Sequence, residues 1–227
     1  MAKHGKKYRA IKEKAPTEVL ELDKAIEFMK ANAVPKFDET MEIAFRLGID
    51  TAKSELTVRG TVNLPHGTGK KIRVLVFATG QAAEAARKAG ADHVGFEDLI
   101  EKVKGGWIDF DVAIATAEAM KEVRKLGKVL GPRGLMPNPK TGTVTEDTAT
   151  AVGQSKAGKV EFRMDKHGNV GVPFGKRSFE VGKLMENANA IIAAVKAEKP
   201  AGAKGVYIKR CTVSSTMGVG IHVNVTD

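Results

Sequence analysis

The chain has 227 residues, with 37 Lys and Arg against 27 Asp and Glu, one Cys, one Trp, two Tyr and nine Phe. A hydrophobic share of 42% with 28% charged residues is typical of a globular protein and excludes a disordered or collagen-like chain. The formal charge of +10 favours a polyanionic partner, most commonly nucleic acid, although part of such an excess also serves solubility.

The apolar stretches and the single cysteine restrict the protein class further. The longest apolar runs, at 74–78 and 191–195, are much shorter than the roughly 18 residues of a membrane-spanning helix. The N-terminus is basic, as in a signal peptide, but no apolar segment follows it. One Cys permits neither an intrachain disulfide nor a cysteine zinc cage. We therefore expect a cytoplasmic protein without a membrane partner.

The first part of the chain predicts a basic arm, a helix and two strands. Residues 1–14 carry six Lys or Arg and one Glu without an apolar period, which indicates an arm that becomes ordered on a partner. Apolar residues at three- and four-residue spacings predict a helix from Pro16 to about Ala33. Alternation of apolar and polar residues then predicts half-buried strands at 41–49 and 56–64.

From Lys71 onward the pattern becomes that of an α/β unit. Residues 72–78 form a nearly continuous apolar run, which is typical of a parallel strand covered on both faces. The elements predicted next are a helix at 81–88, a strand at 92–94, a helix at 97–104, a strand at 111–115 and a helix at 118–125. This order is typical of a small doubly wound sheet. A Gly- and Pro-rich loop at 131–142 and a helix from Thr145 follow.

Alternation returns in the last third of the chain. It predicts strands at 160–164 and 170–174 around a turn, and later strands at 206–213 and 220–225 around the polar loop 214–218. Between these pairs, an apolar stripe with the helical period runs from Val181 to Val195, with Ser178 as the predicted N-cap.

The simplest architecture that fits these elements has two domains. Residues 1–68 and 159–227 are predicted to form a discontinuous α+β sandwich, an antiparallel sheet with helices on one face. Residues 69–158 are predicted to form an inserted Rossmann-like α/β domain with a parallel sheet. The insert holds 14 basic and 11 acidic residues and the outer segments hold 23 and 16, so we expect the primary polyanion site in the outer domain.

Catalytic motifs do not support an enzyme. At 67–71 the chain resembles part of a phosphate loop, but Leu64 stands where that loop needs Gly and Lys71 where it needs a hydroxyl. A single Gly80 follows the strand at 72–78, without a dinucleotide fingerprint. The His spacing does not fit a zincin, and Cys211 lies on a predicted strand. We predict no catalytic residue, cofactor or metal, and a nucleotide-dependent enzyme stays the alternative.

Two polar stretches indicate a nucleic-acid site instead. Residues 36–40 precede a predicted strand, and Phe37 lies outside the apolar period of its neighbours. Residues 214–218 supply three hydroxyls, a thioether and a glycine, groups that bond phosphate and ribose 2′-hydroxyls or pack closely against a sugar. Each stretch alone is also explained as an ordinary turn. Together with the basic arm and residues 163–166, they predict an RNA site.

Five motifs occur in order across nearly the whole chain. They are KFDET at 36–40, VRGTV at 58–62, LPHGTGK at 64–70, LGPRGLMPNPK at 130–140 and STMG at 215–218. The fourth is long and unusual. In these motifs the chain closely resembles the L1 family of bacterial large-subunit ribosomal proteins.

This resemblance implies a function on the ribosome. Members of the family build the mobile stalk beside the tRNA exit site, bind a defined structure in large-subunit ribosomal RNA, help deacylated tRNA to leave and repress their own messenger RNA. It therefore implies three partners for this chain, namely large-subunit ribosomal RNA, exit-site tRNA and its own operon mRNA. Apart from the ribosome, the chain is expected to be a monomer.

The resemblance also implies the residues that bind RNA, mainly in the discontinuous domain. They are Lys36, Phe37, Thr40, Glu42 and Arg46 on one edge of the sheet, Arg163, Asp165 and Lys166 on another, and Ser215, Thr216, Met217 and Gly218 between them. In the inserted domain, Arg133 and Lys140 belong to a loop that either contacts RNA secondarily or rigidifies that domain.

Chemical roles follow as hypotheses. We expect Lys36, Arg46, Arg163 and Lys166 to bind phosphates. We expect Thr40, Ser215 and Thr216 to bind phosphates or 2′-hydroxyls. Glu42 is expected to be a buried acceptor, and Met217 with Gly218 a close-fitting ridge. Phe37 either stacks on RNA or anchors its loop.

Overall fold

The computed structural model describes residues 5–32, 35–51 and 56–225. The chain divides into two compact units, an outer unit made of Met1–Gly69 with Val160–Asp227 and an inserted unit made of Lys70–Lys159. The predicted borders, at 68/69 and 158/159, lie one residue from these.

The elements are, in chain order, α1 (Lys6–Lys14), α2 (Leu22–Ala31), β1 (Thr40–Leu47), β2 (Arg59–Asn63), β3 (Val74–Phe77), α3 (Gly80–Lys88), β4 (His93–Gly95), α4 (Glu97–Lys104), β5 (Val112–Ala115), α5 (Met120–Val123), α6 (Gly127–Leu130), α7 (Thr148–Ala157), β6 (Lys159–Arg163), β7 (Asn169–Lys176), α8 (Val181–Ala197), β8 (Ile208–Ser215) and β9 (Ile221–Val223). The chain also forms 3-10 turns at Arg124–Leu126 and Pro139–Thr141. Among the described helices, none is long and apolar enough to cross a membrane.

An antiparallel sheet forms the centre of the outer unit. Its strand order is β7-β1-β8-β9, and a separate two-stranded sheet pairs β2 with β6. Alternation along β1 buries Met41, Ile43, Phe45 and Leu47 against α2 and α8, since all belong to one apolar core. The opposite side of β1 is exposed. The predicted sheet with helices on one face is therefore confirmed.

A parallel sheet of order β4-β3-β5 forms the centre of the inserted unit. The central strand, β3, is completely buried. Leu75 and Phe77 pack into one apolar cluster and Val74 and Val76 into another, so both faces of the sheet are covered. The continuous apolar run at 72–78 predicted this correctly, and the α/β class is confirmed.

The first predicted helix begins later than expected. Helix α2 starts at Leu22, because the preceding segment is held extended beside β9. The Leu20 amide donates to the His222 carbonyl (2.9 Å), and the Asn224 amide donates to the Leu20 carbonyl (2.9 Å). Ala33, where the predicted helix ended, lies outside the described residues.

The basic arm also differs from its prediction. Residues 6–14 form α1, a helix without a buried residue, and residues 1–4 lie outside the described part of the chain. Lys, Arg, Ala and Glu are good helix formers. Their propensity predicts a helix here even though the apolar period that marks a packed helix is missing.

Three further predictions about element ends were wrong. The helix predicted at 118–125 starts later, as α5, and changes to a 3-10 turn at Arg124, after which α6 begins at Gly127. Helix α8 has Glu180 at its N-cap position, because the Ser178 hydroxyl donates to Asp38 Oδ2 (2.8 Å) instead. Helix α7 starts at Thr148, where Asp147 accepts a hydrogen bond from the Thr150 amide (3.1 Å).

Candidate nucleic-acid interface

One face of the four-stranded sheet is open, and we call it the outer face. Its residues lie in cross-strand rows that the register fixes: Pro173, Glu42 and Ser214 in the first row, Gly171, Ala44 and Thr212 in the second, and Asn169, Arg46 and Arg210 in the third. The middle row has small side chains between an acidic and a basic row. The outer face is therefore low and flat at its centre.

The predicted site residues lie at the two ends of this face. Thr40 and Arg46 are six residues apart on β1, which corresponds to about 20 Å. The Thr40 end holds Thr40 and the turn with Ser215, Thr216, Met217 and Gly218, and Lys36 and Phe37 lie in the segment that leads into β1. At the Arg46 end, Asp165 bonds Asn169, the cross-strand partner of Arg46, and Arg163 and Lys166 lie within two residues of Asp165. Strand β1 is internal to the sheet, and residues 215–218 lie beside Thr40. The predicted arrangement, with 215–218 between two edges, was wrong because it had no strand order to start from.

A buried carboxylate organises the Thr40 end. Glu39 has no exposed surface. Its Oε1 accepts hydrogen bonds from the Met217 amide (2.9 Å) and the Ser215 hydroxyl (3.2 Å), and its Oε2 lies 3.4 Å from the Arg177 guanidinium. Because these partners come from two parts of the chain far from Glu39, Glu39 fixes the turn at 215–218 to the start of β1.

The Thr216 side chain is also used within the protein. The Thr40 amide donates to Thr216 Oγ1 (3.1 Å), which in turn donates to the Thr40 carbonyl (3.3 Å). Lys176 Nζ donates to Thr40 Oγ1 (2.8 Å). These hydroxyls therefore hold the end of the sheet together before any ligand is bound, while Thr216 stays on the surface.

The apolar groups at the Thr40 end are exposed. Met217 and Phe37 each have 52% of their surface accessible. A Cβ atom at position 218 would overlap the Ser215 hydroxyl, so the close turn requires Gly218. Phe37 is therefore no anchor in the core of the outer unit, and the first of the two predicted roles, stacking, agrees better with its exposure.

At the Arg46 end, Asp165 shapes the turn between β6 and β7. Its Oδ1 accepts from the His167 and Asn169 amides (both 2.8 Å), and its Oδ2 accepts from the Asn169 side chain (3.0 Å). These bonds, the Asn169 amide first, lower the pKa of Asp165 below its ordinary value. Asp165 thus fixes the loop that presents Lys166, and its oxygens face the protein's own amides.

The expected buried acceptor, Glu42, is exposed. The strand alternation that buries Met41 and Ile43 turns Glu42 to the outer face. The buried carboxylate of this region is Glu39, which has the same phase as Met41. Extending the alternation of β1 back by two residues, from Met41 to Glu39, would have predicted that Glu39 is buried.

The cations of the predicted site have no internal counter-charge. Lys36, Arg46, Arg163 and Lys166 are all exposed, and none has an ion pair or a side-chain hydrogen bond within the described ranges. They are available to a polyanion. The two ends thus offer phosphate neutralisation, by three cations at the Arg46 end and by Lys36 at the Thr40 end, together with close apolar contact at the Thr40 end.

Sequence comparison decides the family. The chain matches the Ribosomal protein L1p/L10e family over residues 29–219. The chain belongs to this family. A relative, the Large ribosomal subunit protein uL1 of Fervidobacterium nodosum, is 54% identical over 227 residues, which cover 99% of this chain and 97% of the relative. The resemblance predicted from five short motifs is confirmed.

Within this L1-family chain, the loop of the inserted unit is ordered by its own side chains. Asn138 Oδ1 accepts from the Lys140 amide (2.8 Å), and Thr143 Oγ1 accepts from the Asn138 amide (2.8 Å). Leu135 packs against an apolar cluster of the inserted unit. Arg133 and Lys140 are exposed. These hydrogen bonds and the packing of Leu135 stabilise the loop, and both cations are accessible.

In this member of the L1 family, the segment around Lys70 does not have the geometry of a phosphate loop. The chain runs from Lys70 towards strand β3, whereas a phosphate loop leads into a helix. Lys70 Nζ lies 2.6 Å from Asp111 Oδ1. In the described part of the chain, no group of three His, Cys, Asp or Glu side chains could hold a metal.

Proposed function

We propose that this protein is a non-enzymatic component of the large ribosomal subunit in the cytoplasm, and that it binds large-subunit ribosomal RNA on the outer face. The observation that carries the proposal is the placement of unpaired cations and of the 215–218 turn at the two ends of one open sheet face. Membership of the L1 family supports the choice of RNA.

The chemistry of the two ends is complementary. Lys166, Arg163 and Arg46 neutralise phosphates, which supplies affinity that depends on salt. Met217 and Phe37 bring exposed apolar surface against a ribose or a base at the Thr40 end. Because the chain has few aromatic residues, recognition relies on the folded shape of the RNA more than on stacking of single strands.

Met217→Ala is the sharpest variant for testing this proposal. Its side chain is half-exposed and its backbone amide still bonds to Glu39, so the free protein should keep its melting temperature. We expect the variant to lose at least tenfold in affinity for a large-subunit RNA fragment. Thr216→Val is less clean, because it also removes two hydrogen bonds to Thr40.

The control is Val206→Ala, which shortens another exposed apolar side chain, 62% accessible, that lies beside Gly48 and far from the 215–218 turn. Titrations compare the ribosomal fragment with an unrelated duplex over a range of salt concentrations. Equal binding of both RNAs by the wild type, weakened equally by salt, would leave only nonspecific electrostatics and contradict the proposal.

Two finer activities belong to the same proposal. As part of the mobile stalk, the protein assists release of deacylated tRNA from the exit site. Family membership and the exposed cations of the inserted unit, Arg133 and Lys140, support this step. The test measures the dissociation rate of exit-site tRNA from ribosomes assembled with and without the protein, and equal rates would contradict it.

The second activity is repression of its own operon by binding the mRNA. If one face recognises both RNAs, the ribosomal fragment should displace the mRNA leader competitively, and Met217→Ala should weaken both complexes in proportion. Simultaneous binding of both RNAs by one protein molecule would show two separate surfaces and overturn the shared-site proposal.

A further inference from the structure

Two arginines face each other at the Arg46 end of the outer face. Arg46 on β1 and Arg210 on β8 are direct cross-strand partners, and both are exposed. Like charges directly opposite each other destabilise a pair of strands. Within the described ranges, neither guanidinium has a hydrogen bond or an ion pair that would offset this repulsion.

A bulge adds a third cation to the pair. The register shifts after Arg46, because Leu47 pairs with Ile208 and Lys209 is left as the additional residue of β8. Lys209 is exposed as well. Bulges bend a strand and re-aim the side chains beside them, and they occur often at functional sites.

A cleft of about 280 Å³ lies on the other side of Arg210, towards β9. Its polar lining comes from Lys209, Arg210, His222 and Asn224, and its lining contains no Asp or Glu. His222 Nδ1 lies 3.0 Å from Thr212 Oγ1, which leaves Nε2 as the ring nitrogen without a partner in the described chain. Val19, 63% exposed, forms part of the apolar wall.

Two carboxylates of the same surface, Glu42 and Asp165, do not neutralise this group. Glu42 lies four residues from Arg46 along β1, which is about 13 Å. Asp165 bonds to Asn169, the neighbour of Arg46 on β7, but both of its oxygens are used within the turn. The protein therefore keeps two facing cations without an internal partner, and an external anion between them would convert repulsion into attraction.

We propose that Arg46 and Arg210 together hold one backbone phosphate of RNA, and that the cleft beside Arg210 takes the adjoining ribose. The inference rests on the proposed function, since it adds Arg210 and the cleft to the same RNA surface. Guanidinium groups bond phosphate oxygens in a planar, often bidentate arrangement. His222 and Asn224 offer hydrogen bonds to ribose hydroxyls, and Val19 offers an apolar contact to the sugar.

Arg210→Gln tests the site, because Gln keeps a polar side chain while the charge is removed. We expect affinity for the ribosomal RNA fragment to fall about tenfold and the slope of log K against log salt to become shallower by about one. The free variant should melt at a higher temperature than the wild type at low salt, and the difference should disappear at high salt.

The control is Lys24→Gln, which removes one exposed charge from α2, a helix packed on the opposite face of the sheet. If both variants bind RNA alike, or if Arg210→Gln melts lower than the wild type at low salt, the phosphate site is overturned. The slopes are measured on the ribosomal fragment and on an unrelated duplex. If the wild type binds both RNAs equally, the proposed function is contradicted. The difference in salt slope between the wild type and Arg210→Gln still tests the phosphate site in that case.

Discussion

Glu39 and Glu42 are three residues apart and have opposite surroundings. Glu39 is completely buried and bonds Met217, Ser215 and Arg177, whereas Glu42 is exposed on the outer face. Removing a buried acceptor costs most free energy when the donors around it are left without a hydrogen-bond partner. The two residues therefore form a matched pair for separating a structural carboxylate from a surface one.

For Glu39→Ala, we expect the free energy of unfolding to fall by about 2 kcal/mol, because the Met217 amide loses its acceptor and Arg177 its ion-pair partner. For Glu42→Ala, we expect a change within about 0.5 kcal/mol. Urea unfolding followed by circular dichroism measures both. Equal losses in the two variants would show that Glu39 does not support the 215–218 turn.

At this scale, the sequence identified the residue types of the candidate site better than their roles. The motif KFDET marked the region, but the hydrogen bonds of Glu39 join residues 178 positions apart, and no local pattern reports such a distance. Glu42 was assigned as buried although strand alternation places it outside. Arg210 was missed because its importance depends on the register of β8 against β1.

At the scale of elements, Asp111 links the starts of two neighbouring strands in the sheet of the inserted unit. It accepts from Lys70 Nζ (2.6 Å), and from the Arg73 amide (3.1 Å) and Nε (3.2 Å), so it links the chain before β3 to the start of β5. Partial burial alone would raise the pKa of Asp111, but the bonds to Lys70 and Arg73 outweigh it and lower the pKa to about 2.

This shift predicts a pH-dependent loss of stability. A carboxylate whose pKa is lower in the folded state stabilises the protein above its unfolded pKa, about 4, and loses that effect as the pH falls towards about 2. Because solvent screens the pairs at this surface, we expect Asp111→Asn to cost about 1 kcal/mol at pH 7.

The difference between wild type and Asp111→Asn should shrink as unfolding is measured at successively lower pH below about 4. Asp109→Asn is the control, since Asp109 is 66% exposed and Arg73 is its only ion-pair partner among the described residues. A difference for Asp111→Asn that stays constant down to pH 2 would contradict the ion-pair account.

The sequence predicts correctly the elements that have a strong hydrophobic periodicity. It does not predict element ends that depend on hydrogen bonds to distant parts of the chain. Helix α4 and the burial of β3 follow their local patterns closely. Helix α2 begins late because Leu20 bonds to the strand segment around His222 and Asn224, some 200 residues away. The cap of α8 was misplaced because Ser178 bonds to Asp38, which a local cap rule cannot detect.

For the whole molecule, the distribution of charge agrees with the division into two units. The outer unit carries 22 basic and 16 acidic residues and the inserted unit 15 and 11, and the candidate interface lies in the outer unit. The inserted unit has the layers of a nucleotide-binding domain but none of its phosphate-binding geometry, since Lys70 is paired with Asp111.

We therefore expect ATP, GTP and NAD to leave the melting temperature of the protein unchanged. A nucleotide bound at about 100 times its Kd would add roughly 2.7 kcal/mol to the stability, which differential scanning fluorimetry detects easily. The ribosomal RNA fragment serves as the positive control. A shift produced by a nucleotide and removed by Lys70→Ala would revive the enzyme alternative.

The carboxylate of Glu39 has a consequence for the order in which the outer unit can fold. Its oxygen Oε1 bonds Ser215 and Met217, which lie 176 and 178 positions further along the chain. The turn beside Thr40 can therefore become ordered only after β8 has been synthesised and has paired with β1. We expect a nascent chain that stops before Ser215 to lack this end of the outer face, so that RNA recognition begins only after the whole inserted unit has been made.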